Sequence, residues 1–106
     1  MNQPDLNHAF AALADPARRA LVLTLARGPQ TAGALAEPFA ISRPAISRHL
    51  RVLREAGLVA AHTQGRERLY HLAPDRFQEM SHWLSELEML WDEALLSLKQ
   101  LVEEAE

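Results

Sequence analysis

Arginine and serine recur every four residues along one segment near the middle of the chain. Arg43, Ser47 and Arg51 are each four residues apart, and Arg48 and Arg54 lie beside them. On a helix, side chains with this spacing share one face. A guanidinium group can donate two hydrogen bonds to O6 and N7 of guanine or bind a phosphate, whereas serine accepts varied partners. The pattern predicts a polyanion-binding face; the alternative is a solvated, arginine-rich helix.

The charge of the chain is divided between two blocks. The formal net charge of −3 argues, taken alone, against a polyanionic partner. Residues 42–68, however, carry six arginines against two glutamates, a net charge of +4, and residues 74–106 carry nine acidic residues against two basic ones, a net charge of −7. Such asymmetry between parts of a chain is a recognised indication of a polyanion-binding face. We therefore place the predicted polyanion-binding face within residues 42–68.

Three apolar residues of the same segment predict the helix that carries these arginines. Ile46, Leu50 and Leu53 follow one another at intervals of four and three residues and would be buried together on the opposite face. Ser42 is suited to cap the start of this helix, and Gly57 to end it in a left-handed conformation.

Three shorter helices are predicted ahead of it, over residues 6–14, 16–27 and 32–37. Asp15 and Thr31 are predicted to cap the second and the third, because short side-chain oxygens accept the free N–H groups of a first helical turn. The second helix is expected to bury three leucines: Leu21, Leu23 and Leu25.

A β-hairpin is predicted directly after the fourth helix. Residues 58–63 and 68–72 are short β-forming runs that flank a four-residue tip. Gly65 permits the backbone geometry of that tip. Arg66 and Arg68 would reach toward a phosphate backbone or a narrow minor groove; the alternative is an ordinary exposed turn.

The last part of the chain carries an uninterrupted heptad pattern. Apolar residues alternate at spacings of three and four over more than three heptads: Phe77, Met80, Leu84, Leu87, Trp91, Ala94, Leu98 and Leu101. The small domain that precedes this helix, called the head below, cannot bury such a continuous apolar stripe together with two tryptophans, so we expect a twofold homodimer. The alternative is that the helix folds back on its own head. On this helix the expected dimer interface consists of Met80, Trp83, Leu84, Leu87, Leu90, Trp91, Leu95, Leu98 and Leu101.

The composition excludes several classes of protein and site. The absence of cysteine excludes disulfides, thiolate metal ligands and a cysteine nucleophile. No apolar run reaches the ~18 residues that a membrane helix needs, and no leader pattern is present, so we expect a cytoplasmic protein without a membrane partner. Because the chain has neither a glycine-rich phosphate loop nor a nucleophile elbow, we expect no enzyme activity and no cofactor.

The predicted element order, α-α-α-α-β-β-α, is that of a mainly helical winged helix-turn-helix with a small β-hairpin. Residues 42–59 resemble the recognition helix of the ArsR-type bacterial repressors, which runs Ser-x-x-x-Val/Ile-Ser-x-His-Leu-x-x-Leu-x-x-Ala-Gly-Leu-Val. Residues 13–19 resemble the junction between the first two helices of that family. The resemblance covers about residues 6–104.

This resemblance implies a homodimeric repressor that binds double-stranded DNA sequence-specifically. It implies one domain over 1–106, with a DNA-binding head and wing over 1–73 and a dimerisation helix over 74–106. It also implies that the last helix pairs with the first helix across the dimer, which adds Leu6 and Phe10 to the expected dimer interface. Two recognition helices related by a twofold axis would enter successive major grooves, so the operator is expected to be an inverted repeat.

The residues expected to contact DNA come from three elements. Arg43, Ser47 and Arg48, near the start of the recognition helix, would meet base edges, and Arg51 and Arg54 would meet phosphates. The full expected set is Thr31, Ser42, Arg43, Pro44, Ser47, Arg48, His49, Arg51, Arg54, Gly65, Arg66 and Arg68. His49 flanks the apolar stripe and is expected to anchor the helix or to contact a phosphate.

Two alternatives to this function stay open. Metal-responsive relatives use thiolates, or Asp, His and Glu on the last helix; the nearest match here is Glu79, His82 and Glu86. A solvated acidic helix contains the same residues, and we predict no metal site. A protein-interaction module built on the heptads would explain residues 77–102 but not the arginine pattern. No residue pattern identifies an inducer.

Overall fold

The computed structural model describes residues 5–105 as four helices, a hairpin and a long terminal helix. The elements are α1 (Asn7–Ala12), α2 (Pro16–Leu25), α3 (Ala32–Ala36), α4 (Arg43–Glu55), β1 (Val59–Gln64), β2 (Glu67–Leu72) and α5 (Pro74–Ala105), with a 3-10 turn, Glu37–Phe39, before α4. The predicted fold class and element order are confirmed. The outermost residues of the predicted domain, 1–4 and 106, lie outside the described range.

The predicted helix caps are present. The Oδ1 atom of Asp15 accepts hydrogen bonds from the backbone N–H groups of Ala17 and Arg18, at 2.8 and 3.2 Å. Thr31 Oγ1 accepts one from the third residue of α3, and Ser42 Oγ accepts one from the third residue of α4. The starts of α2, α3 and α4 are therefore set by local sequence, as predicted.

The core lies where α2, α3 and α4 meet. Ile46, Leu50 and Leu53 are fully buried, as predicted, and pack in one cluster with Leu21 and Leu35. Fully burying each such side chain is worth roughly 1.5–3 kcal/mol. This cluster fixes the orientation of α4, so that its opposite face is turned outward.

The expectation that α2 buries three leucines is wrong for one of them. Leu23 is 70% exposed, whereas Leu21 and Leu25 are buried. Residues four apart share a helical face, but Leu23 is two residues from each neighbour and lies about half a turn away.

The hairpin is antiparallel, with a register running from Val59 opposite Leu72 to Gln64 opposite Glu67. Its turn has two residues and not the predicted four, because Gln64 and Glu67 also pair. The turn begins with Gly65, whose φ is 65°. Glycine with positive φ at this first position is typical of a type II′ turn, which matches the twist of paired strands. The hairpin is also tied to the head, because Tyr70 exchanges two backbone hydrogen bonds with Gln30, at 2.8 and 3.0 Å.

The first turns of α5 pack against the head. Arg76 Nη1 donates hydrogen bonds to Glu79 Oε2 at 2.9 Å and to the backbone carbonyl of Asp5 at 3.4 Å. Gly57 lies directly after the C-terminal end of α4 and has a φ of 79°. It also lies beside Arg76, because a Cβ atom added at Gly57 would be 3.1 Å from Arg76 Nε. Glycine is therefore required there by the left-handed backbone and by the close side chain.

The rest of α5 extends away from the head. The helix has 32 residues, which gives a length of ~48 Å. Every residue from Ser81 to Ala105 is exposed, although Trp83 still contacts Phe10 edge to face, with ring centroids 5.4 Å apart. The alternative that the helix folds back on its head therefore holds only for its beginning. Within residues 5–105, no helix combines the length and the hydropathy needed to cross a bilayer.

Candidate nucleic-acid interface

The outward face of α4 carries the predicted polar stripe. Arg43, Ser47, Arg48, Arg51 and Arg54 are all exposed, whereas Ile46, Leu50 and Leu53 between them are buried. Ser42 and Pro44, at the start of the same helix, are exposed as well. The helix thus presents four arginine guanidinium groups on a surface that is held rigid by the core beneath it.

Arg51 and Arg54 also line a groove between α4 and the first strand of the hairpin. Its volume is about 480 Å³, and its other wall consists of Val59, Ala60 and Ala61. Glu55 lies in the same groove and is its one acidic lining residue. The arginines at the end of α4 and the base of the hairpin therefore form one concave surface.

The tip of the hairpin carries the remaining predicted arginines. Gly65, Arg66 and Arg68 are exposed. The Cζ atom of Arg68 lies 5.4 Å from the centroid of the Tyr70 ring, which is within the range of a cation–π interaction. Because Tyr70 is half-buried against the core, this contact supports Arg68, whereas Arg66 lies free at the turn.

Thr31 is half-buried at the start of α3, next to α4 in the fold. Its hydroxyl oxygen accepts the capping hydrogen bond at 3.2 Å. The hydroxyl proton can still be donated to another group, because a threonine hydroxyl is both a donor and an acceptor.

His49 joins α4 to the start of α2. Its Nδ1 atom lies 3.5 Å from Arg18 Nη1, and Arg18 Nε donates a 2.6 Å hydrogen bond to the backbone carbonyl of Ala12. Arg18 also lies 3.8 Å from the carboxylate of Asp15. The helix junction at residues 13–19 and the recognition-helix segment are thereby brought into contact.

The role of Arg18 was missed in the sequence because its partner lies 31 residues away. The link between Gln30 and Tyr70 was missed for the same reason. Hydrophobic period and capping rules describe local structure and contain no information on such pairs. The sequence contains one indication of this role, because Arg18 lies three residues after the capping Asp15 and can pair with it.

The Asp15 carboxylate is stabilised in its charged form. The backbone N–H of Arg18 is the main cause that holds the pKa of Asp15 below its ordinary value, and the N–H of Ala17 and the charge of Arg18 add to it. A lowered pKa in the folded state means that the charge favours folding.

We predict that Asp15→Asn removes part of the pH dependence of stability. Asparagine also caps helices well, so the substitution removes mainly the charge. The contribution of the wild-type carboxylate is present at neutral pH. It is lost as the pH falls through the unfolded value near ~3.9 and then through the lower folded one. The free energy of unfolding is measured in urea from about pH 7 to about pH 3. Wild type should be more stable than Asp15→Asn at the higher pH, and this stability difference should shrink as the pH falls. Asp92→Asn, on the exposed part of α5, is the control. A stability difference between wild type and Asp15→Asn that stays constant with pH would contradict the prediction.

The apolar face of α5 has little cover from its own head. Leu84, Leu87 and Trp91 are about half exposed or more and, with Glu88, line an apolar groove of about 540 Å³. Further exposed residues of the predicted interface are Trp83, Leu90, Leu95, Leu98 and Leu101. Leu6 packs partly against the core and Phe10 contacts Trp83. Met80 is only 6% exposed, because the first turns of α5 pack on the head, so it has little surface to offer a partner.

The three residues considered as metal ligands do not form one group suited to a metal ion. Glu79 pairs with Arg76, and His82 Nε2 lies 3.1 Å from Glu86 Oε1 on the exposed side of α5. Across residues 5–105, no group of three or more His, Cys, Asp or Glu side chains has a geometry suited to a metal ion.

Known sequences contain close relatives of this chain. Residues 13–61 match a family model described as a helix-turn-helix domain. The helix-turn-helix-type transcriptional regulator Rv2034 of Mycobacterium tuberculosis is 40% identical over 97 residues, which cover 92% of this chain and 88% of that protein. The transcriptional repressor SdpR of Bacillus subtilis is 38% identical over 79 residues, 74% of this chain and 88% of that protein.

Solved structures resemble the whole fold. An ArsR-like transcriptional regulator from Rhodococcus sp. RHA1 superposes with a TM-score of 0.76 at 34% identity, covering 91% of each chain. A homodimeric winged helix-turn-helix DNA-binding domain from Mycobacterium bovis superposes with a TM-score of 0.62 at 25% identity, covering 83% of this chain and 79% of that one. In this shared architecture β1 and β2 form the wing, and α4 occupies the place of the recognition helix.

Proposed function

The chain belongs to the ArsR family of winged helix-turn-helix transcriptional regulators, and we propose that it acts as a homodimer that represses transcription by occupying an inverted-repeat operator. The observation that carries this proposal is that the arginines of α4 are exposed while Ile46, Leu50 and Leu53 of the same helix are buried. A helix that reads DNA needs these two faces: one to hold it in its domain and one to enter the major groove.

The roles of the polar residues follow from their places on the helix. The N-terminal part of a recognition helix approaches base edges, so Arg43, Ser47 and Arg48 are proposed to read sequence. Arg51 and Arg54, in the groove beside the wing, are proposed to bind phosphates and fix the register. Arg66 and Arg68 of the wing, with Thr31 and Ser42 at helix starts, are proposed to contact the backbone, and His49 to hold α4 in place through Arg18.

The homodimer is proposed from the uncovered apolar face of α5. That face runs from Leu84 to Val102, and a second copy of the same face is its natural cover under twofold symmetry. The structural similarity to a homodimeric relative supports this. Two heads on one twofold axis would place two recognition helices in successive major grooves, about 10 base pairs apart, which requires an inverted repeat.

Repression is proposed to be steric. A dimer bound to promoter DNA excludes the polymerase, and operator occupancy then depends on the concentration of the dimer. The activity is proposed to take place in the cytoplasm, because it requires access to DNA. A protein-interaction module without DNA readout would account for α5 but would leave the α4 arginines and the wing without a role.

Selection from a random duplex library tests this function. Wild-type protein is incubated with duplexes containing about 30 randomised base pairs, and bound DNA is amplified and sequenced through several rounds. The expected result is one enriched motif with twofold symmetry and half-sites about 10 base pairs apart. Enrichment of no motif, or of a motif without symmetry, would contradict the proposal. The same selection on genomic fragments then identifies the regulated promoter.

We predict that binding to the selected duplex falls steeply with salt. Each phosphate neutralised by an arginine releases condensed counterions, and a protein with six to ten such contacts loses about 10³- to 10⁵-fold in affinity between about 50 and 200 mM salt. A dimer that uses Arg51, Arg54, Arg66 and Arg68 from each protomer falls in that range. Fluorescence anisotropy across this salt series measures the slope, and a flat response would contradict the proposed phosphate contacts.

A further inference from the structure

We infer that Gly33 is a positioning residue for Arg43: the missing side chain on α3 leaves the space in which the Arg43 guanidinium group lies beside that helix. The inference rests on the proposed function and deepens it, since Arg43 is one of the residues proposed to read bases. Gly33 belongs to no predicted set of DNA-contacting residues, and its role arises only from the packing of α3 beside α4.

The backbone gives no reason for glycine at this position. Gly28, Gly57 and Gly65 all have positive φ, in the region that favours glycine, whereas Gly33 does not. It is the second residue of a five-residue helix with the sequence AGALA. Glycine is less favourable than alanine within a helix because it loses more conformational freedom on folding. Alanine would therefore suit the helix better, and the glycine needs another explanation.

The side chain of Arg43 supplies that explanation. A Cβ atom added at Gly33 would lie 3.1 Å from Arg43 Nη1 and 3.7 Å from Arg43 Cζ. The first distance is shorter than an ordinary van der Waals contact, so the guanidinium group would have to move by a few tenths of an ångström or adopt another rotamer. Among residues 5–105, no other side-chain or backbone atom outside the helix lies as close to that position.

Such a displacement matters at a base edge more than at a phosphate. A guanidinium group that makes two parallel hydrogen bonds to guanine needs both donors aligned, and hydrogen bonds weaken steeply as their angle departs from linear. A phosphate contact tolerates more freedom because it is largely electrostatic. The expected consequence of filling the space at Gly33 is therefore loss of base discrimination with general DNA affinity retained.

The experiment is a double-mutant cycle on the selected duplex. Wild type, Gly33→Ala, Arg43→Ala and the double variant are compared by anisotropy, and the library selection is repeated with Gly33→Ala. We expect Gly33→Ala to weaken binding roughly threefold to tenfold, to flatten the base preference at one position of each half-site, and to have little effect in the Arg43→Ala background. Binding to a random-sequence duplex should change less than twofold, and the melting temperature should equal or exceed that of wild type.

Four outcomes would overturn the inference. If Gly33→Ala lowers the affinity for the selected duplex by the same factor in the wild-type and the Arg43→Ala backgrounds, glycine acts by allowing DNA to approach α3 directly. Unchanged affinity and base preference would mean that Arg43 adapts without cost. Ala34→Ser adds an atom at the next, exposed position of α3 as a control, and an effect of the same size there would mean that any added atom suffices. Failure of wild type to select a motif would overturn the proposed function itself, which the first three outcomes leave intact.

Discussion

Replacing both Arg43 and Arg48 by alanine is expected to lower affinity for the selected operator at least about 30-fold and to remove most of its preference over random DNA. Each bidentate contact between arginine and guanine is worth roughly 1–3 kcal/mol of discrimination, and a tenfold change corresponds to about 1.4 kcal/mol. Both side chains are exposed, and neither belongs to the buried core. Their loss should therefore leave folding and dimerisation unchanged. Anisotropy with specific and random duplexes measures the effect, and analytical ultracentrifugation checks the dimer.

A matched control separates base reading from the effect of net charge. Arg27→Ala combined with Lys99→Ala removes the same two positive charges from exposed sites outside the proposed interface. This variant should bind the selected operator within about threefold of wild type, since distant surface charges are screened. Equal losses in the two double variants would mean that the arginines of α4 contribute only their charge. A retained operator preference in the first variant would exclude Arg43 and Arg48 as the reading residues.

Much of α4 and its surroundings could be predicted because the information is local. The caps by Ser42 and Asp15, the buried stripe of α4 and the left-handed Gly57 each depend on residues within a few positions of one another. The helical period and the orphan N–H groups of a first turn decide such features. The exposed face of arginines followed directly, because a helix that buries one stripe must turn the opposite one outward.

The parts that sequence reasoning missed are contacts between distant segments. The Arg18–His49 contact spans 31 residues, and the space at Gly33 is explained only by a side chain ten positions later on another helix. The heptad pattern likewise runs without a break from Phe77 to Leu101, yet the structure divides it. Met80 is buried in its own head and Leu84 is not. A periodic pattern states which residues share a face and does not state what covers that face.

The two blocks of opposite charge lie on different parts of the structure, because α5 extends away from the head. The basic residues of 42–68 lie on α4 and the wing, while most of the acidic residues of 74–106 lie on the exposed part of α5. Positive charge is thus concentrated on the elements proposed to meet DNA. The acidic helix would repel DNA that approaches from its side, which favours one orientation of binding.

Introducing glutamate at two positions of the α5 seam is expected to separate the dimer. Leu87 and Leu98 are 46% and 56% exposed in the single chain, and a partner helix would bury them. Leu87→Glu with Leu98→Glu removes four apolar contacts per dimer and places four carboxylates in the interface. Burying even part of a leucine side chain is worth about 1 kcal/mol, and desolvating an unpaired charge costs more. We expect the dissociation constant of the dimer to rise at least about 100-fold, with operator affinity falling because each monomer reaches only one half-site.

The opposite face of α5 offers a closely matched control. Met89 and Leu96 are 68% and 62% exposed and lie about half a turn from Leu87 and Leu98. Met89→Glu with Leu96→Glu introduces the same number of charges into the same helix, at positions two residues from those of the first variant. Sedimentation equilibrium should show a dimer for this control and a monomer for the seam variant, with equal helix content by circular dichroism. If both variants remain dimeric, the interface lies elsewhere, and if both dissociate, the added negative charge rather than the seam controls assembly.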